Sequence, residues 1–169
     1  MPIWADRLVQ SLKESDISLV TYVPDINIHQ ATQLVSADPY FHLVSASREE
    51  EAIGIAAGGY AAGRNSAVFM QSSGFGNCLN AVGSLCLPHR IPLPFIINLR
   101  GGVGEFNIAQ VPLGRGTKPI LDVLGIPHFT LTNEDEVEPV VKGAIKLCYA
   151  SRSPVGICLT AQLHGGKNA

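Results

Sequence analysis

Apolar residues recur along this chain in two rhythms, one of three to four residues and one of short unbroken runs. Trp4, Leu8, Val9 and Leu12 stand at helical intervals and predict an amphipathic helix over 3–14, ending near Asp16. A run over 17–23 predicts a strand. Pro24-Asp25 stops it, and Asn27 or its neighbours start a helix reaching about Val35. Further strands are expected over 41–45, 66–71, 92–99, 128–131 and 155–160. Helices are expected over 47–64, from the turn 72–77 toward Leu85, over 117–124 and over 134–149, the last with Thr132 or Asn133 as its cap. Strands alternating with helices in this way indicate an α/β fold, a three-layer, doubly wound sheet of about six parallel strands covered on both faces. Ligands in such folds sit beyond the carboxyl ends of the strands, which places the loops 24–25, 45–50, 71–77 and 100–104 along one edge.

The helix over 47–64 organises the rest. Three carboxylates, Glu49, Glu50 and Glu51, open it, and from Ala52 to Gly63 the only ionisable group is Tyr60. With no charged face, the helix is expected to be enclosed on nearly every side, in a core or an interface. Ser47 and Glu50 have the spacing of a capping box. Three consecutive acids fan across more than half the circumference, so at least one must turn inward. Glu50 stands above Ile53, Gly54 and Ala57, and a carboxylate on that small apolar face is expected to have a raised pKa and to exchange a proton near neutrality. Gly54, Gly58 and Gly59 each cost about 1 kcal/mol of helix stability relative to Ala, which close packing must offset.

Composition narrows the partners. A chain of 169 residues fits one domain. Only 15% of it is charged, against about 25% in an ordinary soluble protein, and 46% is apolar, so much of the surface is expected to be covered in an oligomer. A net charge of −2 without a Lys/Arg run argues against nucleic acid or an anionic membrane as partner. The start of the chain lacks the order of a signal peptide, and no apolar run nears the roughly 18 residues that span a bilayer, so a cytoplasmic location is expected. Cys78, Cys86, Cys148 and Cys158 form no Cys-x-x-Cys pair and read as buried small hydrophobes. With His29, His42, His89, His128 and His164 scattered singly, no protein-built metal site is expected. Gly74-Phe75-Gly76 follows a strand like a phosphate-cradling turn, but Leu79 replaces the third glycine and no lysine follows. Residues 163–169 read as a polar tail.

Arg-Glu-Glu-Glu-Ala-Ile-Gly-Ile-Ala-Ala-Gly-Gly-Tyr, with Glu50 ten residues before Tyr60, resembles the pyrimidine-binding domain of thiamine-diphosphate-dependent decarboxylases. Phe69-Met70-Gln71-Ser72-Ser73-Gly74-Phe75-Gly76-Asn77, Ile91-Pro92-Leu93-Pro94 and Arg100-Gly101 extend the resemblance to the sulfopyruvate and phosphonopyruvate decarboxylase branch, over nearly the whole chain. Val23-Pro24-Asp25 is similar to the phosphonopyruvate enzymes, whereas the short length is similar to the alpha subunits of two-subunit members. The resemblance implies that residues 1–162 form the pyrimidine-binding domain of the thiamine-diphosphate-binding fold. It implies that Glu50 exchanges a proton with the aminopyrimidine, and that Glu49 and Glu51, one residue out of the motif, are helix-dipole partners or interface charges. Ser72, Ser73, Gly74, Phe75, Gly76 and Asn77 would pack on the cofactor, with Phe75 offering an apolar surface. Asp25, His29 and Asn77 would meet the substrate, although Asp25 also fits a turn or cap. Arg100 suits a sulfonate or phosphonate, or else a salt bridge to Glu105, and Arg115 and Lys118 are further cations on the connection over 100–116.

The Gly-Asp-Gly motif with which the family holds Mg2+ and the diphosphate is missing from this sequence. The resemblance therefore implies a beta subunit that carries the diphosphate domain and Mg2+, a hetero-oligomer, and a small anionic 2-oxo acid as substrate. The expected reaction is decarboxylation of 3-sulfopyruvate to sulfoacetaldehyde, with phosphonopyruvate, another 2-oxo acid, or a non-catalytic regulatory subunit as alternatives.

Overall fold

Runs such as Ala67-Val68-Phe69-Met70 and Phe95-Ile96-Ile97 offer no polar face, so the strands they form must be covered from above and below. The computed structural model describes residues 3–166 and meets that condition. Strands β1 (Leu19–Tyr22), β2 (His42–Ser45), β3 (Ser66–Gln71), β4 (Pro94–Asn98), β5 (His128–Leu131) and β6 (Val155–Leu159) make one sheet. Its order is β2-β1-β3-β4-β6-β5, and every pair is parallel. The helices are α1 (Ile3–Glu14), α2 (His29–Ala37), α3 (Glu49–Ala61), α4 (Ser72–Asn77), α5 (Leu79–Ala81), α6 (Val111–Val123), α7 (Val137–Ser151) and α8 (Ala161–His164).

Alternate side chains of the strands feed two cores. Phe69, Ile96 and Ile157 pack with Trp4, Leu8, Val35 and Val141 on the side of α1, α2 and α7. Val68, Met70, Phe95 and Ile97 pack with Ala52, Ile53, Phe75 and Leu121 on the side of α3, α4 and α6. Each fully buried Phe, Leu or Ile contributes roughly 1.5–3 kcal/mol relative to exposure, so the central strands anchor both layers. No helix among the described residues is long and apolar enough to cross a membrane.

Several local expectations change. The Ser47–Glu50 capping box does not form; Glu51 Oε2 instead accepts from the Ser47 N–H at 2.7 Å, and the N-cap residue Arg48 makes no side-chain cap. Helix α3 buries Ala52, Ile53, Ala56 and Ala57 but leaves Gly54 and Gly58 open, so this chain alone does not enclose it. The turn expected at 72–77 is itself helical, and α6 begins at Val111 instead of at Thr117. Pro112 lies in the first turn of α6, where a missing N–H costs nothing. Gly114 then lets α6 press on the chain after β4, since a Cβ there would fall 1.9 Å from the Arg100 carbonyl oxygen. Part of the expected polar tail is ordered: α8 is capped by Thr160, and Leu163 and His164 are buried. Residues 167–169 of that tail lie outside the described residues.

Candidate active site

Chain order around the sheet runs from β1 to β2 on one side and through β3 and β4 on the other, which opens a crevice at the carboxyl ends of β1 and β3. Pro24 and Asp25 enter it from β1, the first turn of α3 stands over it, and α4 leaves it directly from β3. From β4, Asn98 and Arg100 complete the edge.

The three acids of α3 point three ways. Glu49 lies against α4 so closely that a Cβ on Gly74 would sit 2.2 Å from its Oε1. Its Oε2 has a long contact of 3.5 Å from Asn77 Nδ2. Burial, with the Glu49 carboxylate next in effect, pushes the Cys78 thiol up to about 12. Glu50 Oε1 accepts from Arg48 Nη2 at 3.1 Å, while its Oε2 is shielded from solvent and has no hydrogen-bond partner. Its own backbone N–H, helped by Arg48, holds the Glu50 carboxyl below the ordinary range, the reverse of the raised pKa expected from the sequence. Glu51 is exposed and turns back to Ser47. By three and four, Glu49 leads to the buried Ala52 and Ile53, and Glu50 to the buried Ile53 and the open Gly54.

Residues 72–77 divide between core and crevice. Ser72 is buried, and its Oγ accepts from the Arg100 N–H at 3.2 Å, tying the ends of β3 and β4 together. Ser73 Oγ donates to Gln71 Oε1 at 2.8 Å. Gly76 is needed against α6, where a Cβ would meet Leu113 Cδ1 at 2.5 Å. Phe75 does not offer the apolar surface expected of it; its ring is fully buried, 6.3 Å from that of Phe95. Asn77 is exposed.

Arg100 forms the salt bridge, not an open anion receptor. Its Nε and Nη2 donate to Glu105 Oε2 and Oε1 at 2.6 and 2.7 Å, with both side chains buried. These bonds, with others from the Asn107 and Gly101 N–H groups, pull the Glu105 carboxyl down to about 2. Arg115 is exposed on α6 and lines a cavity of about 310 Å³ beside Arg100, Gly101 and Thr160. On the other flank, Asp25 and His29 line a cleft of about 690 Å³ with Tyr22, Thr32 and Gln33. Asp25 Oδ1 caps the turn by accepting from the Asn27 N–H at 3.2 Å, so the cap and the mouth positions coincide. Two residues that sequence reasoning gave no role at the site stand behind Asp25 here: Asn98 donates to it, and His164 pairs with Asn98. The polar Asn98 ending an otherwise apolar strand was the available signal.

The sequence is 36% identical over 157 residues to sulfopyruvate decarboxylase subunit alpha of Methanococcus maripaludis, a match covering 93% of this chain and 94% of that one. The chain belongs to the sulfopyruvate decarboxylase alpha-subunit family. A longer member, sulfopyruvate decarboxylase of Methanosarcina acetivorans, is 34% identical over 149 residues, which make up 88% of this chain and 38% of that one. The fold is shared with a 2-oxoglutarate:ferredoxin oxidoreductase from Magnetococcus marinus at a TM-score of 0.75 and 12% identity, over 97% of this chain and 29% of the other. No family model matches the sequence.

Proposed function

We propose that this chain is the pyrimidine-binding alpha subunit of a two-subunit, thiamine-diphosphate-dependent decarboxylase that converts 3-sulfopyruvate to sulfoacetaldehyde and carbon dioxide. The observation that carries the reading is the carboxylate pair opening α3 at the crevice, with Glu49 pressed on Gly74 and one oxygen of Glu50 buried without a partner. Those groups fit a ligand that presents a basic ring nitrogen and an amino group. When bound, thiamine diphosphate supplies the sink for the electron pair that carbon dioxide leaves behind. Glu49, Glu50, Ser73, Gly74 and Asn77 would hold its aminopyrimidine. Glu50 is the acid in the motif position and keeps one oxygen buried and unpartnered, while Glu49 braces Gly74 and Asn77 beside it. With Arg100 engaged by Glu105, the exposed Arg115 beside it would meet the sulfonate, and Asp25 and His29 would flank the keto acid.

The Methanosarcina relative is longer than this chain, which leaves room there for a further domain; here a beta subunit would supply the one that holds Mg2+ and the diphosphate. Apolar side chains exposed at the same edge, Ile26, Val103 and Ile108, support a covering partner.

The test is carbon dioxide release by the chain purified with its natural partner, with and without thiamine diphosphate and Mg2+, from sulfopyruvate and from phosphonopyruvate. Cofactor-dependent release from sulfopyruvate is expected; release from phosphonopyruvate alone would move the substrate, and release from neither would favour a regulatory subunit. Glu50→Gln should lower kcat by at least about 100-fold, the lower end of the range for a general acid–base group, and Glu49→Gln by less than about tenfold. The opposite ranking would move the role to Glu49.

A further inference from the structure

A chain of three buried or half-buried polar side chains runs from the last helix to the first strand. Asn98, fully buried at the end of β4, donates through Nδ2 to Asp25 Oδ2 at 2.5 Å. Its Oδ1 faces His164 Nε2 at 3.0 Å, and His164 Nδ1 accepts from the Gly166 N–H at 3.2 Å. Both ends have fixed polarity. A backbone N–H only donates, so Nδ1 must be bare and the proton of a neutral imidazole must sit on Nε2. A carboxylate only accepts, so the Asn98 amide must turn its NH2 toward Asp25 and its oxygen toward His164. One orientation satisfies all three groups, and an imidazolium would set two donors against each other at Gly166.

We infer that His164 and Asn98 are positioning residues that hold the Asp25 carboxylate in one orientation at the mouth of the crevice. With Oδ2 on Asn98 and Oδ1 on the Asn27 N–H, Asp25 is gripped at both oxygens while still lining the cleft beside His29. The surroundings favour the neutral ring. Burial, including the nearby Trp4 ring at 6.2 Å, draws the His164 pKa below its ordinary value; the Asp25 carboxylate opposes this, and the Arg100 guanidinium reinforces it. A purely structural account leaves the arrangement unexplained, because replacing two bonded polar partners by apolar groups of similar shape is often nearly neutral for stability. What the polar chain adds is direction at Asp25.

The role in turnover rests on the decarboxylase reading; the relay itself belongs to the folded chain, so the two are tested separately. In the full-length chain, 15N NMR of the imidazole, assigned with His164→Gln, should show Nε2 protonated and Nδ1 bare from neutral pH down past the ordinary histidine pKa. The Asn98 side-chain amide protons should be shifted and slow to exchange, and His164→Phe should abolish both effects. In the assembled enzyme, Asn98→Leu, His164→Phe and the double variant should each lower kcat by about 10- to 100-fold, the range for a misplaced reacting group, with KM within about twofold. The double variant should be no worse than either single one and should melt close to the unaltered protein. His164→Gln, which restores a donor, should recover most of kcat. An Nδ1-protonated or charged ring, an Asn98 amide indifferent to His164→Phe, or a kcat that simply follows melting temperature would overturn the inference. An inactive unaltered complex would instead sink the decarboxylase reading and leave the spectra to decide the relay.

Discussion

Glu49 and Glu50 are separated by about 100° of helix and end in different surroundings, one against Gly74 and the other beside Arg48. Gly74→Ala tests that difference without touching either acid. The new methyl would collide with the flexible Glu49 side chain at Oε1, Cδ and Cγ, so the protein should fold with little loss of stability while kcat falls by about tenfold or more, as the wall of the aminopyrimidine site is displaced. Glu105 makes a second residue-scale prediction. Its carboxyl is pulled down to about 2 from an ordinary 4.5, so its contribution to stability is present above about 4.5 and is lost as pH falls from there through about 2. Glu105→Gln should remove that acid-dependent component and, by leaving Arg100 buried without its partner, cost about 3 kcal/mol in denaturant titrations at neutral pH. The buried thiols were legible from spacing alone, as all four cysteines are free and buried. The orientation of each acid was not, because it depends on which helix face meets the sheet, and counting back from Tyr60 does not report that.

Element by element, the strands were easiest to read. Unbroken apolar runs bounded by polar or turn residues matched β3 at both ends, and α1 likewise followed its three-and-four spacing. Helices α4 and α6 were misjudged because glycine and proline signal loops, yet here Gly74, Gly76 and Gly114 serve close approach between packed elements. Gly114→Ala should therefore destabilise the protein by about 1–3 kcal/mol, the usual cost of overpacking, and thermal melting would show it. Its target is the Arg100 backbone, which cannot swing aside as a side chain can.

For the molecule as a whole, the low charge content pointed to covered surface, and the structure locates where cover is lacking: the open side of α3 at Gly54 and Gly58, and the apolar edge near Val103 and Ile108. Gly58→Arg adds a large charged group where a Cβ meets nothing within 4 Å, at a helix-propensity change that favours folding. The isolated chain should keep its melting temperature, while size-exclusion chromatography with the partner should show weakened assembly. Unaltered assembly would place the interface elsewhere. The link from Asp25 to His164 was beyond reach of local pattern, since it runs through Asn98 of β4 between residues far apart in sequence. That closure also orders events during synthesis. A growing chain has all the residues of its six strands once Leu159 has left the ribosome, but the Asn98 amide that grips Asp25 keeps a free choice of orientation until His164 and Gly166 follow. A nascent chain paused in that interval can hold its sheet and yet lack its site, so protection from proteolysis should mature before activity does.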